Sequence, residues 1–306
     1  MPEPYRILVI LGPTASGKTH LAVSLASQFN GEIISADSRQ VYRGMDIGTG
    51  KDLQEYQTLK GQVPVHLIDC CDPTTDYDLY HFQTDARRLI ADVTSRGHLP
   101  VVCGGTGLYL SALLQNYQLV PLGQPDSAWD LIPDENLVSE LSKRRSLHNS
   151  TDTTDRKRLM KALSIASSTL APESFPPLNP LVIGIKWPRQ ELYERIGQRL
   201  KSRLEQGMIE ETKRLLASGV PAERLRFFGL EYKWLTNFLE GQISFTEMET
   251  GLYQAIRKFA KRQETWFRKM EKEGVPIRWI EGRELSFGKT SQLVYNWLKD
   301  LSSDFS

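Results

Sequence analysis

The sequence predicts an α/β protein: a parallel sheet flanked by helices, with a small, mostly helical insertion and a helical C-terminal region. Three observations carry this. A continuous aliphatic run, Ile7 to Leu11, has the look of a strand buried on both faces, and it feeds directly into the glycine-rich stretch 12–19. Aliphatic runs then alternate with segments of helical period as far as residue 115. That rhythm lapses over 116–180, and one more strand precedes a long helical tail. The division expected is 1–115 as core, 116–180 as insertion, and 181–306 as a strand and helices completing the core.

Gly12-Pro13-Thr14-Ala15-Ser16-Gly17-Lys18-Thr19 fits G-x-x-x-x-G-K-[ST]. Four fixed positions match by accident in roughly one per cent of chains this long, before strand and helix context is required. Leu21, Leu25 and Phe29 recur at helical spacing after it, so the loop's N–H groups face an anion at the positive end of a helix. Lys18 is placed to reach terminal phosphate oxygens, and the Thr19 hydroxyl to ligate a magnesium ion. The fold expected is therefore P-loop NTPase-like.

The second strand, Glu32 to Ser38, carries Asp37 at its carboxyl end, where ligands of open parallel sheets lie. The loop from Arg39 to Lys51, with Gly44, Gly48 and Gly50, is expected to fold over the site. Val63 to Asp69 reads as a third strand. Phe82, Ala86, Leu89, Ile90 and Val93 mark a helix stopped by Gly97. Leu99 to Cys103 is a fourth strand, leading to a second glycine turn, Gly104-Gly105-Thr106-Gly107, that opens a helix at Leu108. Inside the insertion one helix spans Asp155 to Ser168, with Leu159, Ala162, Leu163 and Ala166 on one face and Arg156, Lys157, Arg158 and Lys161 basic. The sheet resumes at Leu181 to Ile185, and beyond Pro188 the chain reads as helical for most of its length.

Lys and Arg total 38 against 37 Asp and Glu, so no global field announces nucleic acid and any basic surface is local. Three cysteines without zinc-site spacing suit a reducing, cytosolic compartment. The start of the chain shows no basic-then-apolar leader, and no apolar run reaches the roughly 18 residues of a membrane span. Two C-terminal helices are charged in an informative way. On Arg189 to Gln206, Arg199 and Arg203 fall at or inside the arc of Leu192, Tyr193, Ile196, Leu200 and Leu204, where an arginine needs an anion: an internal carboxylate or a bound phosphate. On Phe245 to Glu271, Leu252, Ile256, Phe259, Gln263, Trp266 and Met270 share one side. Arg257, Lys258, Lys261, Arg262, Arg268 and Lys269 crowd the rest, and between Arg257 and Met270 only Glu264 is acidic, spaced to pair with Arg268. Such a surplus suits a nucleic-acid backbone.

Together these residues resemble the tRNA dimethylallyltransferases, from the first strand to about Met270. The resemblance rests on the phosphate loop, on Asp37-Ser38-Arg39-Gln40-Val41-Tyr42-Arg43-Gly44-Met45-Asp46-Ile47-Gly48-Thr49, and on Gly104-Gly105-Thr106-Gly107-Leu108-Tyr109. Arg195-Ile196-Gly197-Gln198-Arg199 is similar to the family's diphosphate-binding segment, and Lys261-Arg262-Gln263 with Trp266 and Arg268 to its late basic helix. The resemblance implies that residues Gly12 to Thr19 hold dimethylallyl diphosphate, with Lys18, Arg199 and Mg2+ on Thr19 stabilising the leaving group. It implies Asp37 as the base, and contact with a tRNA anticodon stem-loop by Ser38, Arg39, Gln40, Thr106, Arg158, Lys161, Lys258, Lys261 and Arg262. A cytoplasmic monomer is expected. The chain departs from the family's pattern where Lys161 and Ser164 replace an arginine and an acid, and at Phe228 to Lys233, where a G-Y-[RK]-Q turn is usual. Two other readings stay open: prenylation of free adenine nucleotides, and a P-loop kinase or nucleotide-gated RNA-binding module.

Overall fold

The structure, a computed structural model, describes residues 3–122, 127–144, 155–168 and 170–300. They form two compact units: 1–116 with 176–306, and Tyr117–Phe175.

In the larger unit the strands are β1 (Tyr5–Leu11), β2 (Gly31–Ser35), a hairpin of β3 (Gln57–Thr58) and β4 (Gly61–Gln62), then β5 (Val65–His66), β6 (Leu99–Gly104), β7 (Leu178–Lys186) and β8 (Ile277–Glu281). Six of them make one parallel sheet in the order β5-β2-β6-β1-β7-β8. Ile7 to Leu11 are wholly inaccessible, as a strand covered on both faces requires. One face is packed by α2 (Leu79–Ser95), α3 (Gly107–Leu114) and the end of α10 (Phe245–Lys272), through Phe82, Ile90, Leu110, Phe267 and Met270. The other receives α1 (Lys18–Gln28) and α11 (Phe287–Asp300), through Leu21, Leu25 and Val294.

Beyond β7, α6 (Arg189–Glu205), α7 (Met208–Ala217), α8 (Ala222–Phe227) and α9 (Leu230–Leu239) lead to α10. Leu192, Ile196, Leu200, Met208, Leu235, Leu252 and Ile256 give this group a core of its own. A capping box starts α10: Ser244 Oγ accepts from the Glu247 N–H, and the Glu247 carboxylate accepts from the Ser244 N–H at 2.8 Å.

Two expectations are corrected here. The run Val63 to Asp69 yields only the two-residue β5, because Leu67 and Asp69 take left-handed φ of 60° and 53° and turn the Asp69 carboxylate onto the buried Lys51 ammonium. The helical tail also contains β8, an edge strand beside β7 that is only half-covered and carries Arg278 and Glu281.

In the smaller unit α4 (Asp134–Arg144) and α5 (Arg156–Ala166) pack through Leu137, Leu141, Leu159, Ala162 and Leu163, with Trp129 buried beside them. Arg156 is not a spare cation. It pairs with Asp134 and donates to the carbonyls of Trp129, Asp130 and Ile132. Arg158 and Lys161 are exposed on α5.

Candidate active site

The strand order brings the carboxyl ends of β2, β6 and β1 side by side, and the three loops that follow them meet at one edge of the sheet. A cavity of about 460 Å³ opens there. Of the sequence-predicted residues, Thr14, Lys18, Thr19, Asp37, Ser38, Arg39, Gln40, Thr106, Arg199 and Arg262 all line it. Lys258 and Lys261 are exposed on the same helix as Arg262.

The phosphate loop is held from outside. Ala15 and Gly17 adopt left-handed φ of 62° and 87°, and Gly17 stands at the N-terminus of α1, where the first N–H groups have no intrahelical acceptor. A side chain at Gly12 would sit 2.7 Å from Ser16 Oγ, so only glycine leaves room for the turn. Trp187 Nε1 donates to Ser16 O at 3.0 Å, and Arg195, stacked on that indole, donates to Ala15 O at 2.8 Å. The Ser16 hydroxyl is buried without a hydrogen-bond partner.

Gln263 joins both glycine loops. Its side chain accepts from the Thr14 N–H at 2.9 Å and donates to Gly105 O at 2.8 Å. Trp266 lies against Gly107 and donates to Ser111 Oγ at 2.8 Å. The loops after β2 and β6 are stapled in turn: Thr106 Oγ1 accepts from the Ser38 N–H at 3.0 Å. Gln40 accepts from Ser35 Oγ and donates to Gly50 O, both at 2.9 Å, so its amide is engaged internally at both ends. Asp37 Oδ1 accepts from the Arg39 N–H at 2.9 Å, which fixes the carboxylate at the cavity wall.

Desolvation in the cavity floor pushes the Lys18 ammonium below its ordinary pKa, and Arg199 adds to the effect while Asp37 opposes it. Burial pushes the neighbouring Cys103 thiol up to about 12, so it is neutral near pH 7 and gives Lys18 no counter-charge there. Burial also raises Glu231, a further cavity-lining carboxyl, against the pull of Arg203.

The anion expected beside the arginines of α6 is present within the chain: Arg199 and Arg203 both turn on Asp52. Arg203 is the deeper of the two, its side chain 10% exposed against 31% for Arg199. On α10 the buried stripe runs through Leu252, Ile256, Ala260, Gln263, Phe267 and Met270. Phe259 stands off it, 36% exposed, and lines the cavity with Trp266. Arg257 is stacked over Tyr193 at 3.9 Å, and Arg268 donates to Thr265 Oγ1 at 3.3 Å in place of the expected pairing with Glu264.

Sequence reasoning missed Glu211 and Lys51. Glu211 is 2% exposed and accepts from the N–H groups of Asp46, Ile47 and Gly48 at 2.9, 2.7 and 3.0 Å, and from Tyr232 Oη at 2.7 Å. It latches the loop whose Gly48, Thr49 and Gly50 form one cavity wall. Its signal was an acid sharing a helical stripe with Met208, Thr212 and Leu215. Lys51 is 1% exposed and donates to Tyr42 O at 2.8 Å and to Asp46 at 2.6 Å.

A phosphate loop, two arginines and a strand-end carboxylate around one cavity, in a parallel α/β sheet, define a protein equipped to handle a phosphorylated ligand beside a carboxylate. Residues 40–270 match the family described as IPP transferase. The "tRNA dimethylallyltransferase 2" of Pelobacter propionicus is 50% identical over 287 residues, covering 91% of this chain and 90% of that protein. The protein of the same name in Bacteroides fragilis is 46% identical, with 92% and 94% covered. Among solved structures, the tRNA isopentenylpyrophosphate transferase of Bacillus halodurans aligns with a TM-score of 0.71 at 33% identity, covering 97% of this chain and 96% of that one. The chain belongs to the IPP transferase family.

Proposed function

We propose that this protein transfers the dimethylallyl group of dimethylallyl diphosphate to N6 of the adenosine 3′ of the anticodon, position 37, of tRNA, releasing diphosphate. The observation that carries this reading is the single cavity in which Lys18, Thr19 and Arg199 stand with Asp37 and Thr106. The nitrogen forms a bond to the allylic carbon as the carbon–oxygen bond to diphosphate breaks, and the proton leaving nitrogen passes to Asp37. Lys18, Arg199 and the first N–H groups of α1 stabilise the charge that grows on the diphosphate. The strut formed by Gln263 holds both loops at fixed spacing, and positioning of this kind lowers the entropic part of the barrier.

The residues present fit a magnesium ion. The Thr19 hydroxyl puts a hard oxygen donor into the cavity, and the described residues hold no cluster of His, Cys, Asp or Glu suited to a closed metal cage. That set suits a cation taking most of its ligands from phosphate and water. Bound at Thr19, it would neutralise diphosphate charge.

The RNA side of the reading rests on Arg39, Thr106 and Arg262 at the cavity and on exposed Lys258 and Lys261 along α10, with Arg158 and Lys161 of the smaller unit as further contacts to the anticodon stem-loop. Ser38 and Gln40 brace the walls. No helix among the described residues is long and apolar enough to cross a membrane. The reading is of a monomeric enzyme acting in the cytoplasm. The test is transfer of label from dimethylallyl diphosphate, with magnesium, to bulk tRNA and to AMP in parallel. Label in tRNA alone is expected; label in AMP alone would move the assignment to free-nucleotide prenylation.

A further inference from the structure

Asp52 has a place that the reaction as derived does not use. Its carboxylate receives Arg199 and stands 3.6 Å from Arg203 Nη2. Burial would raise this carboxyl, but the two guanidinium groups overcome that and hold it below the ordinary carboxylate value. The backbone is unusual too: Asp52 adopts φ 46°, ψ 48°, a left-handed conformation in a residue that is not glycine, at the head of the turn Leu53–Tyr56. It lines, together with Ala15, Gly17, Lys18, Thr19 and the two arginines, a second cavity of about 430 Å³.

A carboxylate and a diphosphate ask for the same thing, charge-assisted N–H donors from guanidinium groups. The two arginines stand close enough to repel: burial first, and then Arg199, weakens the hold of Arg203 on its proton, and Asp52 works against both. Resting on the diphosphate site assigned above, we propose that Asp52 is a built-in competitor for the leaving diphosphate. It keeps Arg199 and Arg203 assembled, and donor or product must displace it to reach them. Net affinity for diphosphate is thereby lowered and release of the product eased. Asp52 is a positioning residue in this scheme, acting through the two arginines and not on the reacting atoms.

The test uses Asp52→Asn, because asparagine keeps the shape and tolerates left-handed φ while removing the charge. Calorimetric titration with inorganic pyrophosphate and magnesium should give a Kd lower than wild type by about tenfold or more, as expected for removing a competing charge at close range. The donor KM should fall in parallel while the KM for a stem-loop RNA stays. Asp52→Glu, which retains the charge, should leave the pyrophosphate Kd within about threefold. In a chain carrying Arg199→Ala and Arg203→Ala, adding Asp52→Asn should change nothing. An unchanged or raised Kd in Asp52→Asn, or the same gain without the arginines, overturns the inference. Absence of pyrophosphate binding in wild type and Asp52→Asn alike would instead remove the diphosphate site itself, and this inference with it.

Discussion

Glu211 is the point at which one substitution should undo a whole wall of the site. Its carboxylate, 2% exposed, satisfies three consecutive backbone N–H groups and the Tyr232 hydroxyl. Glu211→Ala removes all four hydrogen bonds at once and leaves no group of similar reach to replace them. An orphaned buried donor costs about 1–3 kcal/mol; Asp46 is the exposed residue of the three, and its N–H is taken to regain water. The sum for the other three, discounted for relaxation, is about 3–5 kcal/mol, a large share of the roughly 5–15 kcal/mol that holds a domain folded. Glu211→Gln keeps one acceptor oxygen but points an amide at donors, so it should lose about 2 kcal/mol or more. Urea denaturation followed by fluorescence reads both. The released loop also carries Gly50, whose Cα lies so close to the Arg203 guanidinium that a Cβ would stand 1.6 Å from Nη2, so donor KM should rise in Glu211→Gln even where the chain remains folded. A midpoint shift worth less than about 1 kcal/mol in Glu211→Ala would refute the latch.

Lys18→Ala and Thr19→Ala should each lower turnover by on the order of a hundredfold or more with near-native melting, since both line the cavity and stand outside the hydrophobic core; steady-state kinetics beside calorimetry checks this. Replacing Lys258, Lys261 and Arg262 together by Gln should weaken stem-loop binding at low salt and flatten the logarithmic salt slope by about one unit for each RNA phosphate left without its cation, with little effect on AMP handling; a filter-binding salt series decides. Acid should also loosen the fold at Glu32. Arg96 holds its carboxyl down to about 2 against the opposing effect of burial, with His66 at 2.7 Å and His98 at 2.8 Å beside it. The pKa is depressed on folding, so this stabilisation is complete above pH 4.5 and is lost as pH falls towards about 2. Discounted for the exposure of Arg96, it is worth about 2 kcal/mol, and Glu32→Gln should flatten the stability profile in that window.

The parts of the fold that the sequence makes legible are those where one residue type answers one physical demand. The run Ile7 to Leu11, leading straight into a glycine turn, reads as a strand covered on both faces, and Gly12 to Thr19 carries its own geometry. What escapes are features in which a distant partner decides. β5 is short because Asp69 turns to Lys51, and nothing local to 63–69 announces that partner. β8 alternates Ile277 and Trp279 with Arg278, a half-buried edge pattern that the long helices before it obscure. At the site, the arginine on the apolar arc of α6 correctly demanded an anion, but whether that anion came from a ligand or from the chain depended on Asp52, almost 150 residues away. Glu211 and Gln263 were each visible as a polar residue on a buried stripe; their targets, three N–H groups of one loop and two glycine turns, were not.

The central claim is that one cavity divides its work, with the phosphate loop holding the donor and Asp37 removing the proton from the acceptor nitrogen. Single-turnover transfer to an anticodon stem-loop, run on Lys18→Ala and Asp37→Asn with donor affinity measured in the same samples, tests it most directly. Asp37→Asn should bind donor as wild type does and lose roughly a hundredfold in transfer, whereas Lys18→Ala should lose donor affinity and transfer together. Equal loss of donor affinity in Asp37→Asn, or normal transfer by it once donor is saturating, would contradict the division.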